Sequence, residues 1–322
     1  MNIYAENVRE RDSVYLITEK LLRSIVCPGL DANVTVRWSD EPDLSALAAA
    51  DVFVGGGFDH RRVATHAPRM RLVHSISAGV ERYLPLDWLP SGSVLTNSSG
   101  IHADQAREYM TWALLALHAG LPGMVRAQRD ARWERKLTGL IAGKELVVLG
   151  LGGLGRAVAE AALALGLNVT AITRSGRPSP TMRVFPMEKL DALLPTADFL
   201  VAACPLTPAT HGLIDARAIA RLPATAAIVN IARGPVVDTA ALCAALRHGR
   251  LAGAVLDVFD TEPLPADSPI WDTPNLLVTP HISCDAPDCI ARSLRILGRN
   301  MKRLADGLVG ELENRVDDKR GY

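Results

Sequence analysis

Residues 145–166 read ELVVLGLGGLGRAVAEAALALG: a β-branched apolar run, a glycine-rich turn and an alanine-rich stretch of helical pattern. No other feature of the chain constrains its fold as much. An apolar strand without alternation must be covered on both faces, which places it inside a parallel sheet. In Gly150-Leu-Gly152-Gly-Leu-Gly155 the first glycine permits a tight turn and the second exposes bare backbone. The third lets helix and strand pack closely. The helix opens with N–H groups that lack intrahelical partners and with the positive end of its dipole, so the turn suits a pyrophosphate. Another strand begins at Asn168. With a strand before and a helix after, the motif reads as a dinucleotide site rather than a glycine-rich turn of another α/β protein.

The same alternation runs through the whole chain. VYLIT (Val14 to Thr18), VTVRW (Val34 to Trp38), DVFVG (Asp51 to Gly55), LVHSIS (Leu72 to Ser77) and VLTN (Val94 to Asn97) form a first series of strands. ELVVLG, NVTAIT, DFLVAAC, AAIVNIA, GAVLDV and NLLVTP form a second, between Glu145 and Pro280. Strands separated by helical segments predict two doubly wound α/β domains, in keeping with a length of 322 residues. Between the series, His102 to Lys136 predicts two helices broken at Gly120-Leu-Pro122-Gly123. After the last strand, Ile290, Leu294, Leu297, Met301 and Leu304 have helical spacing. Periodicity alone leaves open whether that helix caps the second sheet or returns to the first.

Composition narrows the partners. Thirty-five basic residues balance thirty-five acidic ones, so net charge offers no pull toward nucleic acid or an anionic membrane. Arg126, Arg129, Arg132 and Arg135 form a basic stripe, but Asp130 and Glu134 interleave with it, which favours a solvated or dimer-contact face. The longest apolar stretch, Tyr109 to Val125, is interrupted by His118, Gly120, Pro122 and Gly123, and the first fifteen residues have no apolar core for a signal peptide. Five scattered cysteines (Cys27, Cys204, Cys243, Cys284 and Cys289) do not form a disulfide framework and point to a reducing cytoplasm. His281, Cys284 and Cys289 are the only grouping that suggests a metal. They share one short stretch without a second Cys/His pair, so no metal is expected.

The end of the strand after the glycine turn bears on which dinucleotide binds. An NAD site places an acid there to accept from the ribose hydroxyls. This chain has Thr173-Arg174-Ser175-Gly-Arg177, an arginine fork with two hydroxyls, which suits a 2′-phosphate and favours NADP over NAD. Farther on, NIARGPVVD, DVFDTEPLP and TPHIS each follow a strand, where loops of an open sheet face the ligand crevice. They contribute Arg233, Glu262 and His281. An arginine can hold a carboxylate in a bidentate pair, and a protonated imidazole can give its proton to a carbonyl oxygen. A carboxylate beside that imidazole favours its protonated form. Those are the parts needed to reduce a 2-keto acid.

With these motifs in their order and spacing, together with CPLTPAT-HGLID (Cys204 to Asp215) and WDTPNLLVTPHIS, the sequence resembles the D-isomer-specific 2-hydroxyacid dehydrogenases over nearly its whole length. The resemblance implies Arg233 as substrate arginine, His281 as acid/base and Glu262 as its partner. It implies cofactor contacts from Gly150, Gly152, Gly153, Leu154, Gly155, Thr173, Arg174, Ser175, Cys204, Pro205 and Asp257. GGGF (Gly55 to Phe58) and SAGV (Ser77 to Val80) match the family's substrate loops, so Gly56, Ser77, Ala78 and Gly79 would offer backbone N–H groups to the substrate carboxylate. The family fold inserts a Rossmann domain (99–284) into a flavodoxin-like substrate domain (1–98 and 285–322), so the last helix crosses back. It also implies a homodimer, with the arm from Arg126 to Lys136 around Trp133 in the contact. Thr173-Arg174-Ser175 is closest to the NADP-using glyoxylate and hydroxypyruvate reductases. The end at Tyr322, without a regulatory extension, argues against the large phosphoglycerate dehydrogenases, and glutamate rather than glutamine at Glu262 disfavours formate. The competing functions are a dinucleotide-sensing, corepressor-like binding protein and a phosphoglycerate dehydrogenase-like enzyme of the same family.

Overall fold

The structure is a computed structural model that describes residues 1–9 and 15–317. It contains two compact units, residues 1–101 with 286–322 and residues 102–285.

The first unit is built on five parallel strands: β1 (Asn2–Asn7), β2 (Asn33–Trp38), β3 (Val52–Gly55), β4 (Leu72–Ser75) and β5 (Val94–Thr96), in the order β2-β1-β3-β4-β5. Alternating side chains serve two cores. Ile3, Ala5, Val52 and Val54 enter one, while Tyr4, Phe53, Val73 and Leu95 enter the other. Helices α1 (Glu19–Leu21), α2 (Leu44–Ala48) and α3 (His60–His66) begin on Thr18, Asp43 and Asp59, whose side chains accept from backbone N–H groups of the first turn.

Two expectations for this region change. VYLIT is not a strand: Val14 lies outside the described residues, Tyr15 sits in a single turn, and residues 16–18 are irregular. The amide of Asn7 explains this, because it accepts from Ile17 N at 2.8 Å and donates to Ile17 O at 2.9 Å. A side chain thereby satisfies backbone groups that a sheet partner would otherwise take. The first strand is instead NIYAEN, whose polar ends hide an apolar centre.

The second unit has seven parallel strands: β6 (Glu145–Leu149), β7 (Asn168–Thr173), β8 (Arg183–Pro186), β9 (Phe199–Ala202), β10 (Ala227–Asn230), β11 (Gly253–Leu256) and β12 (Leu276–Val278). Their order is β12-β11-β10-β9-β6-β7-β8, so chain direction across the sheet reverses between β6 and β9. Around them lie α4 (Ala103–Ala119), α5 (Leu121–Arg129), α6 (Gly153–Ala164), α7 (Leu190–Leu193), α8 (Ala216–Arg221) and α9 (Thr239–Arg247). The edge strand β8 has no counterpart among the expected strands. It ends in Pro186, which an edge tolerates because no neighbour needs its missing N–H.

As expected, α4 stops at Gly120 (φ 74°) and α5 restarts with Pro122 in its first turn. The second helix, expected to run to Lys136, ends at Arg129. Ala131 turns left-handed (φ 50°), and Trp133, Leu137 and Leu140 follow in irregular chain, 97%, 80% and 85% exposed. Arg132 of the basic stripe is paired with Asp130 and Glu134.

The last helix, α10 (Cys289–Ala305), belongs to the first unit. Its Ile290, Leu294, Leu297, Met301 and Leu304 share a core with Ile3, Val52, Val54 and Leu72. Ser293 of the same helix meets His74 Nε2 at 3.2 Å, and Thr96 Oγ1 lies 2.9 Å from His74 Nδ1. His74 is fully buried, and that burial pushes its pKa down to about 4, below the ordinary 6.5. The unfolded chain binds a proton there below about pH 6.5, whereas the folded chain refuses it until about pH 4. Stability is therefore full above 6.5 and falls as pH drops through that window, by about 3 kcal/mol in total. Urea unfolding at pH 7 and pH 4.5 should show the loss, and His74→Asn should remove this share of it.

Candidate active site

The glycine turn lies where the second sheet reverses direction. Gly150 adopts φ 97°, and a Cβ built there would come within 2.8 Å of Ala203 O and 2.9 Å of Cys204 Cα, at the end of β9. A Cβ on Gly155 would lie 2.1 Å from Gly150 O. Both glycines are demanded by the protein's own packing, and Gly150 lies against the backbone of Cys204. Gly152 differs, since a Cβ there would meet nothing within 4 Å. It caps α6 without a side-chain acceptor, whereas Asp215 and Asp238 cap α8 and α9. The opening amides of a twelve-residue helix thus face open space left by a residue with no side chain. That arrangement fits a phosphate group. Gly152 and Gly153 are exposed, with Leu154 half-buried behind them, and Pro205 is exposed beside Cys204.

At the end of β7, Thr173 Oγ1 accepts from Gly176 N at 3.0 Å, fixing the turn that carries Arg174 and Ser175. Arg174, Ser175 and Arg177 are exposed, and neither arginine has an ion-pair partner among the described residues.

The ends of β10, β11 and β12 assemble the remaining groups. Arg233 follows β10, half-buried, with Nη1 donating to Ala232 O at 2.7 Å. A Cβ on the next residue, Gly234, would fall 2.1 Å from Phe259 C and 2.3 Å from Asp260 N. Only glycine lets the arginine loop lie directly on the loop that carries Glu262. Glu262 Oε1 accepts from Phe259 N at 2.8 Å, and Oε2 lies 2.7 Å from His281 Nδ1. A carboxylate only accepts, so Nδ1 carries the proton and donates it. His281 Nε2 has no hydrogen-bond partner among the described residues, and the side chain is 48% exposed. The imidazole is therefore oriented at one nitrogen and available at the other.

Asp257, expected at the cofactor, is completely buried, and both of its oxygens are engaged. Oδ1 accepts from Thr279 Oγ1 at 2.6 Å and Ile282 N at 2.9 Å; Oδ2 accepts from Ser283 N at 2.9 Å. Thr279 Oγ1 also meets Tyr109 Oη at 2.6 Å. Nothing in the sequence marks Tyr109, which reads as one more residue of an amphipathic helix. Thr279 is at least visible inside TPHIS.

In the first unit, Gly56 follows β3 and Ala78 and Gly79 follow β4, on adjacent strands. Their amides have no hydrogen-bond partner among the described residues. The amide of Ser77, by contrast, donates to Ser75 Oγ at 3.2 Å. Gly57 N donates to Tyr83 Oη at 2.8 Å, and Tyr83 stacks on Phe58 with ring centroids 4.4 Å apart. Among the described residues no three His, Cys, Asp or Glu side chains gather as a metal site.

The family model for the NAD-binding domain of D-isomer specific 2-hydroxyacid dehydrogenases matches residues 111–283. The chain belongs to this family. A glyoxylate/hydroxypyruvate reductase B from Pectobacterium carotovorum is 33% identical over 264 residues, 79% of this chain and 82% of that one. A D-3-phosphoglycerate dehydrogenase from Mycobacterium bovis is 34% identical over 289 residues, 87% of this chain but 54% of that protein, so the chain spans about half its length. A D-isomer specific 2-hydroxyacid dehydrogenase from Xanthobacter autotrophicus, solved with NADPH and MES, superposes with TM-score 0.84 at 33% identity, covering 99% of each chain. The NADPH-dependent glyoxylate/hydroxypyruvate reductase of Sinorhizobium meliloti, solved with NADP and sulfate, gives 0.85 at 26% identity over both whole chains. The two parallel-sheet units are the fold of this family. No helix among the described residues is long and apolar enough to cross a membrane.

The glycines of the turn should separate by substitution. Gly155→Ala forces a Cβ into backbone and should cost on the order of 1–3 kcal/mol, the usual range for overpacking. Gly152→Ala should leave thermal unfolding near wild type. Differential scanning calorimetry of the two variants checks the contrast.

Proposed function

We propose that this dehydrogenase reduces a small 2-keto acid, glyoxylate or hydroxypyruvate, to the D-2-hydroxy acid with NADPH. The observation that carries the reading is the Glu262–His281 pair, oriented at Nδ1 and available at Nε2, beside an arginine loop that Gly234 holds in place. The Pectobacterium and Sinorhizobium relatives, both glyoxylate/hydroxypyruvate reductases, support the substrate class.

In this reading Gly150, Gly152, Gly153, Leu154, Gly155, Cys204 and Pro205 hold the dinucleotide, which supplies the hydride when bound. Asp257 acts behind that surface rather than on it. Arg233 pairs with the substrate carboxylate, a planar fork meeting a planar acceptor. In the first unit, the amides of Gly56, Ala78 and Gly79 are N–H donors suited to a carboxylate. His281 Nε2–H gives its proton to the carbonyl oxygen as that oxygen gains charge, leaving a hydroxyl. Glu262 accepts the hydrogen bond from Nδ1–H, which stays on the ring, and stabilises the imidazolium before transfer. His281→Ala should lower kcat by ~10²–10⁴-fold, the usual share of general acid catalysis. Arg233→Lys should fall severely in kcat/KM, since an ammonium cannot form the bidentate pair. Steady-state assays with glyoxylate check both.

NADP is assigned from Thr173, Arg174 and Ser175, where an acid would select NAD. Both solved relatives described above hold the phosphorylated cofactor. Arg174→Ala should cost about ten- to a hundred-fold in NADPH affinity and little with NADH. Titration with both cofactors at low and high salt reads this; equal use of NADH and NADPH by wild type overturns it. A second reading, oxidation of D-3-phosphoglycerate, rests on the mycobacterial relatives. A panel of 2-keto acids run beside D-3-phosphoglycerate decides between the two.

The exposed Trp133, Leu137 and Leu140 are assigned to a homodimer contact, because an apolar arm of this kind is stable only when covered. Light scattering should give twice the chain mass, and a monomer at working concentration removes the assignment. All five cysteines are unpaired, which supports the cytoplasm as the compartment.

A further inference from the structure

His281 adopts φ 55°, the left-handed region that a residue with a Cβ seldom occupies. The loop around it is gripped by one residue. His281 N donates to Asp257 O at 2.9 Å, and the amides of Ile282 and Ser283 donate to the two carboxylate oxygens of Asp257. Asp257 is reached in turn by the Thr279 hydroxyl, and that hydroxyl by Tyr109 of α4.

We propose that Tyr109, Thr279 and Asp257 are positioning residues for His281, a hydrogen-bond chain that ties its left-handed loop to α4, whose inner face packs in the core. The proposal rests on the reading of His281 as proton donor. The direction of each bond follows from chemistry. The Asp257 carboxylate only accepts, so the single Thr279 hydroxyl proton points at Oδ1. That leaves Thr279 Oγ1 a lone pair, and Tyr109 O–H donates into it. Burial raises the Tyr109 phenol well above its ordinary value, so it remains a donor at every working pH. The anchor is rigid, because α4 is seventeen residues long and its Met110, Ala113, Leu114 and Leu117 lie in the core beneath the sheet. A site held by such an element keeps its geometry better than one held by loop contacts alone.

Thr279→Val is nearly isosteric and deletes both hydroxyl bonds. The first readout needs no ligand: hydrogen exchange of the amides of residues 281–283, followed by mass spectrometry on the intact chain. Exchange there should quicken in Thr279→Val and return to the wild-type rate in Thr279→Ser, which keeps the hydroxyl. The second readout uses NADPH and glyoxylate, with kcat expressed per NADPH-binding site from fluorescence titration. It should fall about ten- to a hundred-fold, the scale of a misplaced reacting group. KM for glyoxylate should stay near wild type, and the solvent deuterium isotope effect should rise as proton transfer becomes limiting. If Thr279→Val does not fold, Tyr109→Phe carries the test, with smaller changes in the same directions. Wild-type exchange in the tested variant overturns the proposal, as does faster exchange with unchanged kcat per site while His281→Ala is inactive. Full activity of His281→Ala overturns the reading of His281, and this proposal with it.

Discussion

The approach of α6 to the end of β6 is the constraint on which the dinucleotide-binding unit depends. A Cβ at Gly155 would sit 2.1 Å from Gly150 O, far inside van der Waals contact, and one at Gly150 would strike the backbone just after β9. Strand, turn and helix can therefore meet only with hydrogen at these two positions. That contact aims the first turn of α6 along the edge where β6 and β9 diverge, because neighbouring strands there lead their connections to opposite sides. Gly152 lies at the same place, and a Cβ there would meet nothing within 4 Å, so its packing does not demand glycine.

A second close approach performs the same service for the chemistry. Gly234 lets the loop after β10 lie on the backbone of the loop after β11, which puts Arg233 and Glu262 on neighbouring segments. The loop after β12 then delivers His281 to Glu262 at 2.7 Å. Each group follows a different strand, and parallel order makes these three strand ends neighbours. The polar residues beneath them are mutually hydrogen-bonded, and Asp257 is completely buried. Asp257 takes three hydrogen bonds on its carboxylate, so the charge is compensated where solvent cannot reach it. The imidazole above remains half exposed. Order below and access above are what a proton-donating side chain requires.

The first unit applies the same logic to a weaker set of donors. The amides of Gly56, Ala78 and Gly79 have no partner among the described residues, while the aromatic cluster of Phe58, Tyr83 and Trp88 and the Gly57–Tyr83 bond support the β3 loop from behind. Loops of small residues on adjacent parallel strands offer N–H groups with no side chains to obstruct an anion.

Much of this was legible in sequence because it rests on local chemistry. Apolar runs of β-branched residues fold as buried strands wherever they occur, and the glycine turn, the breaks at Gly120 and Pro122, and the Arg233, Glu262 and His281 motifs lie within short windows. The misreadings have one physical origin. VYLIT has strand composition, but Asn7, ten residues before Ile17, satisfies its backbone with a side-chain amide. β8 has only Val184 and Phe185 as strand formers between Arg183 and Pro186, so no apolar run marks it, and it pairs along the free edge of β7. The helical pattern past Arg129 had no surface to hold it. By itself the sequence determined the two parallel-sheet units, the turn for a phosphate and the catalytic candidates, because covalent geometry and hydrophobic period act over a few residues. Tertiary structure alone decided that α10 packs on the first sheet, that Gly234 is required by a neighbouring loop, and that Tyr109, 170 residues from Thr279, completes the support of His281. Those outcomes depend on packing between segments distant in the chain, and no local pattern encodes which surfaces meet.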